Sequence, residues 1–497
     1  MKNIGLRIIA IITTIAMMTG CRQEPSSYYN ISIDQQVSCS FDRHIVEVEY
    51  KLMGNEMNGS EHIAIASTSA DWIIDIDNSK TGVFAIEVDV NEGDIRSAKI
   101  EVRANGHTPT TFTLTQLAAP SGASHTLMYY FFGTSLKRFF NDNISDAKLA
   151  ISTGILGDNN RVLYIRQDGS TTGYIGELCY DPVNGECIER RIKDITIEGD
   201  HLTPEQIGQH IAFMAAEAPA DRYGMIMAGH GQGWLTRAIV NNENGGSIFS
   251  SGLGHNPWVQ ALGAETTRAF GESNVCMNIS EIAEGIELSA VELDYILFDA
   301  CFMSNIETVY ELRNAANYII ASPCEIMGRG FPYHRTLPYL FAAGGATSDL
   351  KSAAESYYIY YRDEYVSNAR CGSIALYDCR EIQALADATA AVIRSATDEY
   401  DPKTLQTYEG QKTHVFYDFG QWVRTIATDE AALATFNEQL SRTVIAKYTL
   451  PSFYSAYGTY GTYKIDLAVY TGVTTSAPSV AYPDEWRETS WYKEVWE

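Results

Sequence analysis

Apolar and polar residues alternate with a period of two along much of residues 30–117, which is typical of strands with one buried face. Turn residues such as Gly93-Asp94 and Asn105-Gly106 separate these runs. Short strands at this spacing predict a β-sandwich of about ninety residues. The clearest runs are 45–50, 84–90, 98–102 and 111–116.

The pattern changes after a segment of small residues at 119–124, which we interpret as a linker. Continuous apolar runs then alternate with amphipathic stretches, and this predicts a parallel α/β sheet with helices on both faces, within one large domain over 125–497. The predicted strands are 127–132, 162–166, 223–228, 293–298 and 318–322, and the predicted helices are 135–151, 204–217, 279–288 and 306–314.

The N-terminal segment has the features of an export signal. Two basic residues precede an apolar run over 8–18, which is too short to span a bilayer and predicts a signal peptide at 1–20. Cys21 follows small residues, which resembles a bacterial lipobox, so we expect acylation at Cys21, a tether at 21–29 and a lipid anchor in the cell envelope. An ordinary secretory signal that contains a cysteine is the alternative.

Charge and cysteine content restrict the remaining functions. With 36 basic and 62 acidic residues the formal charge is −26, which argues against general nucleic-acid binding. In an oxidising compartment Cys179 could pair with Cys187 and Cys371 with Cys379, or all four could be buried thiols. The sequence contains no CxxC or HExxH motif, so no metal site is predicted.

Two predicted strands end in residues that could carry chemistry. The strand before Gly229-His230-Gly231 and the strand before Asp299-Ala300-Cys301 are both continuously apolar. Carboxyl ends of parallel strands share one sheet edge, so His230 and Cys301 can meet without being close in sequence. Cys301 could act as a catalytic nucleophile with His230 as its base, although lone His and Cys residues are more often structural.

These two motifs, Gly229 to Trp234 and Leu297 to Met303, resemble those of the clostripain family of cysteine peptidases, which shares its fold with caspases and gingipains. The resemblance covers about residues 125–400 and implies a caspase-like, mostly parallel sheet. It implies that the Cys301 thiolate attacks the scissile carbonyl and that His230 protonates the departing amine. The backbone N–H groups of Gly231 and Cys301 would form the oxyanion hole.

Asp299 lies two residues before Cys301, so both side chains are expected on one face of the strand, roughly 6.6 Å apart. A carboxylate there could pair with a substrate cation, and the resemblance implies that this residue lines the pocket for the residue before the cut. We therefore predict cleavage after Arg, with Lys weaker. The alternative, that Asp299 caps the next helix, is less favoured because Ser304 and Asn305 are better placed.

The resemblance also implies processing between the two motifs after a basic residue. Arg237 and Arg268 are the candidates, and Arg268 could instead be structural. Calcium activation is implied as a possibility, but the sequence offers no ligand set for it, and no other cofactor is predicted.

The N-terminal module resembles a BACON domain through Trp72, Arg96-Ser97-Ala98 and Leu114-Thr115-Gln116, over 30–118. This resemblance implies either glycan binding or a spacer role, and we favour the spacer because a lone Trp is usually core. The combined prediction is an exported, lipid-anchored cysteine endopeptidase that acts on proteins or peptides. The alternatives are an inactive caspase-like surface protein that binds glycans or proteins, and another thiol hydrolase.

Overall fold

A computed structural model describes residues 29–54, 63–119, 123–157, 160–197, 201–240, 262–268, 277–341, 349–397, 399–477 and 481–497. The chain divides into two compact units, Met1–Gln116 and Leu117–Glu497. The predicted signal peptide, Cys21 and most of the tether lie outside the described residues. Among the described residues, no helix combines the length and the apolar character needed to cross a membrane.

The first unit consists of two four-stranded sheets, with strand orders β1-β3-β6-β5 and β2-β8-β7-β4. Their alternating inward side chains, including Phe84, Ile86, Ile100 and Leu114, are fully buried between the strands. The period-two runs of the sequence therefore form the β region that they predict. The strands are β1 (Asn30–Ile33), β2 (Gln36–Cys39), β3 (His44–Met53), β4 (Ile65–Ser67), β5 (Ile73–Asp77), β6 (Val83–Val88), β7 (Arg96–Arg103) and β8 (Thr110–Gln116).

The second unit is built on a nine-stranded sheet with the order β12-β11-β10-β9-β13-β14-β15-β16-β18. The five central strands run parallel to one another, and two antiparallel strands extend the sheet at each edge. The predicted α/β fold is thereby confirmed. The strands are β9 (Ala123–Phe131), β10 (Asn160–Gln167), β11 (Thr172–Asp181), β12 (Glu186–Thr196), β13 (Ala220–Ala228), β14 (Leu293–Asp299), β15 (Ala316–Ala321), β16 (Ile374–Asp378) and β18 (Val444–Tyr448).

Two short ribbons complete the β structure of this unit. β17 (Tyr417–Asp418) pairs with β21 (Thr474–Thr475), and β19 (Ser452–Ser455) pairs with β20 (Gly461–Lys464).

Helices flank the large sheet and bury their apolar faces against it. Thr203 begins one of them with a capping box, since its hydroxyl accepts from Gln206 N and the Gln206 side chain accepts from Thr203 N. The helices are α1 (Lys137–Ile151), α2 (Pro204–Glu217), α3 (Arg237–Val240), α4 (Ile279–Ser289), α5 (Ile306–Glu311), α6 (Tyr333–Leu340), α7 (Leu350–Asp363), α8 (Ile382–Ile393), α9 (Phe419–Ile426), α10 (Glu430–Thr443), α11 (Pro483–Arg487) and α12 (Ser490–Trp496).

The cysteines in the described ranges are free thiols, including all four that the spacing made candidates for pairing. Across the same ranges, no three His, Cys, Asp or Glu side chains come together in a way that could hold a metal ion. The calcium activation implied by the family resemblance therefore has no ligand set among these residues.

Candidate active site

The two motifs meet because β13 and β14 are neighbouring parallel strands in register. Ala228 at the end of β13 pairs with Asp299 at the end of β14. His230 lies two residues after Ala228, and Cys301 lies two residues after Asp299. Both residues therefore lie at the same edge of the sheet, just beyond the ends of the two strands. The sequence argument from strand ends thus places both residues where the structure has them.

Gly231 packs directly against the Cys301 backbone, and this contact requires a glycine. A Cβ atom at position 231 would lie 2.6 Å from Cys301 N and still closer to the Cys301 carbonyl oxygen. No side chain fits at that separation, so the residue after His230 can only be glycine if this backbone approach is kept.

The Cys301 thiol is fully buried in this structure. Its Sγ accepts a hydrogen bond from Ile326 N at 2.9 Å and donates to Ile326 O at 3.4 Å. Burial, followed by the nearby Glu325 carboxyl, raises the pKa of Cys301 well above the ordinary thiol value. The thiol is therefore neutral at physiological pH in this form of the site.

The residue after the cysteine has an unusual backbone. Phe302 has a φ of 60°, in the left-handed region that side chains other than glycine avoid. Its ring stacks on Phe416 at 4.8 Å, and its N–H donates to Cys324 O. Such strain, of about 1–3 kcal/mol, persists only where surrounding contacts impose it, and it is common at reactive sites.

His230 is oriented by a hydroxyl that the sequence did not reveal. Ser135 Oγ lies 2.8 Å from His230 Nε2, at the start of the segment that leads into α1. The Ser135 hydroxyl therefore holds one ring nitrogen of His230 and fixes the orientation of the ring. An exposed serine at the start of a predicted helix gives no sequence signal for this role.

A segment of the chain itself occupies the cleft beside Cys301. Residues 266–268 run antiparallel to residues 326–328, with Arg268 N donating to Ile326 O at 2.8 Å and Gly328 N donating to Thr266 O at 2.7 Å. The carbonyl oxygen of Arg268 accepts a 2.8 Å hydrogen bond from Gly231 N. Gly231 N–H is one of the two donors predicted for the oxyanion hole.

The Arg268 side chain extends from that carbonyl into a closed pocket and has no solvent exposure. Its Nη1 lies 2.8 Å from Asp299 Oδ2 and 3.1 Å from the Asp299 carbonyl oxygen. Its Nη2 donates to Asn143 Oδ1 at 2.6 Å, and its Nε donates to Gly328 O at 3.2 Å. All three guanidinium nitrogens are therefore hydrogen-bonded.

The Asp299 carboxylate is positioned to bind a cationic side chain. Its Oδ2 also accepts from Tyr333 Oη at 2.6 Å and from Phe331 N at 3.2 Å. Burial raises the pKa of Asp299, and the Arg268 charge opposes that rise. A cationic side chain in the pocket thus stabilises the ionised carboxylate. The helix-capping alternative for Asp299 is not observed, since Asn305 caps α5 by accepting from Thr308 N.

The other predicted processing residue lies elsewhere. Arg237 begins α3 and forms a 2.6 Å ion pair with Glu281, with His201 as a further partner. The sequence reasoning missed Asn143, because a polar residue on a predicted helix is indistinguishable from a surface residue until the helix is placed.

Comparisons with known proteins identify relatives of this chain. The sequence profile of the clostripain family matches residues 256–463. Clostripain of Hathewaya histolytica is 26% identical over 151 residues, and that match spans only 26% of clostripain's length and 29% of this chain.

Among solved structures, the secreted C11 cysteine protease iotapain from Bacteroides thetaiotaomicron is 29% identical, with a TM-score of 0.65, over 76% of this chain and 100% of that one. An inactive zymogen C11 protease from Parabacteroides distasonis is 25% identical, with a TM-score of 0.62, over the same shares of 76% and 100%. The chain therefore belongs to the clostripain family and is a cysteine peptidase.

Proposed function

We propose that this chain is the precursor of an Arg-specific cysteine endopeptidase, and that it cuts itself after Arg268. One observation supports both parts: the Arg268 carbonyl sits on the Gly231 N–H while its guanidinium sits on Asp299. A peptide substrate with Arg before the scissile bond would place the same two groups at the same two sites.

The chemistry follows from the roles of two side chains. His230 takes the proton of the Cys301 thiol, and Sγ attacks the carbonyl carbon of the Arg residue. The Gly231 and Cys301 N–H groups stabilise the oxyanion, on the order of 3 kcal/mol for each donor. His230 then returns the proton to the leaving amine, and water hydrolyses the thioester to release the Arg carboxylate and restore the thiol.

The pocket accounts for specificity toward Arg. The planar guanidinium is matched by acceptors in three directions, from Asp299, Asn143 and Gly328. A buried carboxylate without a cation is costly, which disfavours neutral side chains here. This cation receptor beside the nucleophile favours a basic-residue peptidase over an amidase or a transpeptidase.

Self-cleavage has a direct test. The purified full chain is incubated, and fragments are followed by intact mass, for wild type, Cys301→Ala, Arg268→Gln and Arg237→Gln. We expect a new C-terminus at Arg268 in wild type and Arg237→Gln, and an uncut chain in the other two. Identical processing in Cys301→Ala would refute self-cleavage, and unchanged processing in Arg268→Gln would refute the site.

For localisation and the first unit, we propose an exported lipoprotein whose β-sandwich acts as a spacer. Trp72 packs against the sandwich core with the Arg96 guanidinium 4.8 Å above its ring, so the indole face is covered and unsuited to stacking on a sugar. Metabolic labelling with a palmitate analogue should mark wild type and not Cys21→Ser. Equal labelling of both would contradict the anchor.

A further inference from the structure

Residue 267 of the bound segment is buried, and a buried carboxyl lies near it. Thr267 is only 2% exposed, and it pairs with Met327 in the antiparallel bridge. The residue diagonal to Thr267 on the facing strand is Glu325, within reach of its side chain. Glu325 is completely buried.

Glu325 is held rigidly by groups from β19 and the residue that follows it. Ala456 N donates to both carboxyl oxygens, at 3.1 and 3.0 Å, and Ser455 Oγ donates to Oε1. The same region contacts the bound segment further upstream, where Glu265 N donates to Tyr454 Oη at 2.8 Å. The carboxyl therefore has a fixed position beside Thr267.

The Thr267 hydroxyl interacts with that carboxyl. Burial is the largest influence on the pKa of Glu325 and raises it, and the contacts with Ser455 and then Thr267 lower it, so that the net pKa is about 7. Thr267 Oγ1 is buried and has no hydrogen bond of good geometry among the described residues. The Thr267 hydroxyl therefore acts on Glu325 as a donor group near a buried carboxyl.

We infer that Glu325 is the specificity-determining residue for the position before Arg, and that it selects a small side chain with a hydroxyl donor, Thr or Ser. This inference rests on the proposed function, since it assumes that residues 266–268 lie as a substrate does. A valine at that position has the shape of threonine but has no hydroxyl, so the buried carboxyl would keep only its donors from Ser455 and Ala456. Thr267 is only 2% exposed, so a larger side chain would have to displace its neighbours.

Peptide pairs test this preference. Processed enzyme is assayed with two fluorogenic peptides that end in Thr-Arg and Val-Arg and are otherwise identical. We expect kcat/KM to favour Thr-Arg at least tenfold in wild type, and the ratio to fall to threefold or less in Glu325→Gln. Glu307→Gln is the matched control, because Glu307 is another buried carboxyl that accepts from a backbone N–H and a hydroxyl.

The outcomes separate this inference from the proposed function. A wild-type ratio near one, or an unchanged ratio in Glu325→Gln, would overturn the role of Glu325 while Arg-specific cleavage stands. No cleavage of either peptide would overturn the proposed function, and this inference with it.

A second measurement covers the case in which Glu325→Gln does not fold. In the otherwise wild-type full chain, Thr267→Ser should keep the rate of cleavage after Arg268 within threefold. Thr267→Val should slow it at least tenfold, and equal rates in these two variants would overturn the inference.

Discussion

Replacing Arg by Lys at the scissile position of a substrate tests the pocket geometry quantitatively. The Arg268 guanidinium makes four contacts, two with Asp299, one with Asn143 and one with Gly328. A lysine has a single nitrogen, so it can keep the ion pair with Asp299 Oδ2 but must lose at least two of the other contacts.

The size of the effect follows from those lost contacts. Hydrogen bonds that involve a charged group contribute about 1.5–3 kcal/mol each. At the lower value, two lost contacts raise the barrier by about 3 kcal/mol, which corresponds to roughly a 100-fold loss of kcat/KM.

The assay compares peptides that end in Thr-Arg, Thr-Lys and Thr-citrulline with processed enzyme. Citrulline keeps the shape of arginine but has no charge, so it reports on Asp299 and should be the poorest of the three. Asn143→Ala should reduce cleavage after Arg about tenfold through the loss of one charged hydrogen bond, with little change for Lys. Asn141→Ala is the control on the same helix, since the Asn141 side chain accepts from Arg166 instead.

A Lys peptide cleaved within fivefold of the Arg peptide would refute this account of the pocket. An Arg/Lys ratio that Asn143→Ala leaves unchanged would refute the part assigned to Asn143.

Three further predictions concern the precursor. Iodoacetamide should label Cys301 at least tenfold faster once residues 266–268 have been cut and have left the cleft than in the uncut chain, by peptide mass spectrometry, because the thiol is now buried and its pKa is raised; equal rates would contradict this. Gly231→Ala should abolish both processing and peptide cleavage because a Cβ atom has no room there, whereas Gly93→Ala, where a Cβ atom would lie 3.9 Å from Asn91 Oδ1, should not; an active Gly231→Ala chain would exclude the backbone contact described above. Burial and then Lys193 lower the pKa of His210 to about 4, below the unfolded value. The contribution of neutral His210 to the free energy of unfolding is therefore present above pH 6.5 and is lost as pH falls toward 4. The difference in unfolding free energy between wild type and His210→Gln should therefore shrink by at most about 1.4 kcal/mol per pH unit in urea titrations over that window, and a constant difference would show that His210 does not titrate this way.

The central strands of the large sheet could be predicted because they are buried on both faces. Each of the five apolar runs from residue 127 to 322 forms a strand, and the parallel order of β13 and β14 brings His230 and Cys301 to one edge. The β11–β12 hairpin was missed. Its strands carry buried charges, Glu177 paired with Arg161 and Arg190, and these interrupt the apolar pattern that marks a strand.

The sequence could not predict that residues 266–268 lie in the active-site cleft. Thr266-Thr267-Arg268 has neither strand nor helix periodicity, and its conformation comes entirely from pairing with residues 326–328. Asn143 and Glu325 became recognisable only through the contacts they make with that segment. Such contacts between distant segments leave no local pattern.

The pairing of residues 266–268 with the cleft has a consequence for the timing of activation. Cutting the peptide bond after Arg268 would leave in place the hydrogen bonds described for residues 262–268, because they lie on the N-terminal side of that bond. The new carboxylate would remain beside Cys301 as a tethered product, at an effective concentration on the order of millimolar for a short linker. With the proposed cut after Arg268, activation would take two steps, cleavage and then release of the cut end from the cleft.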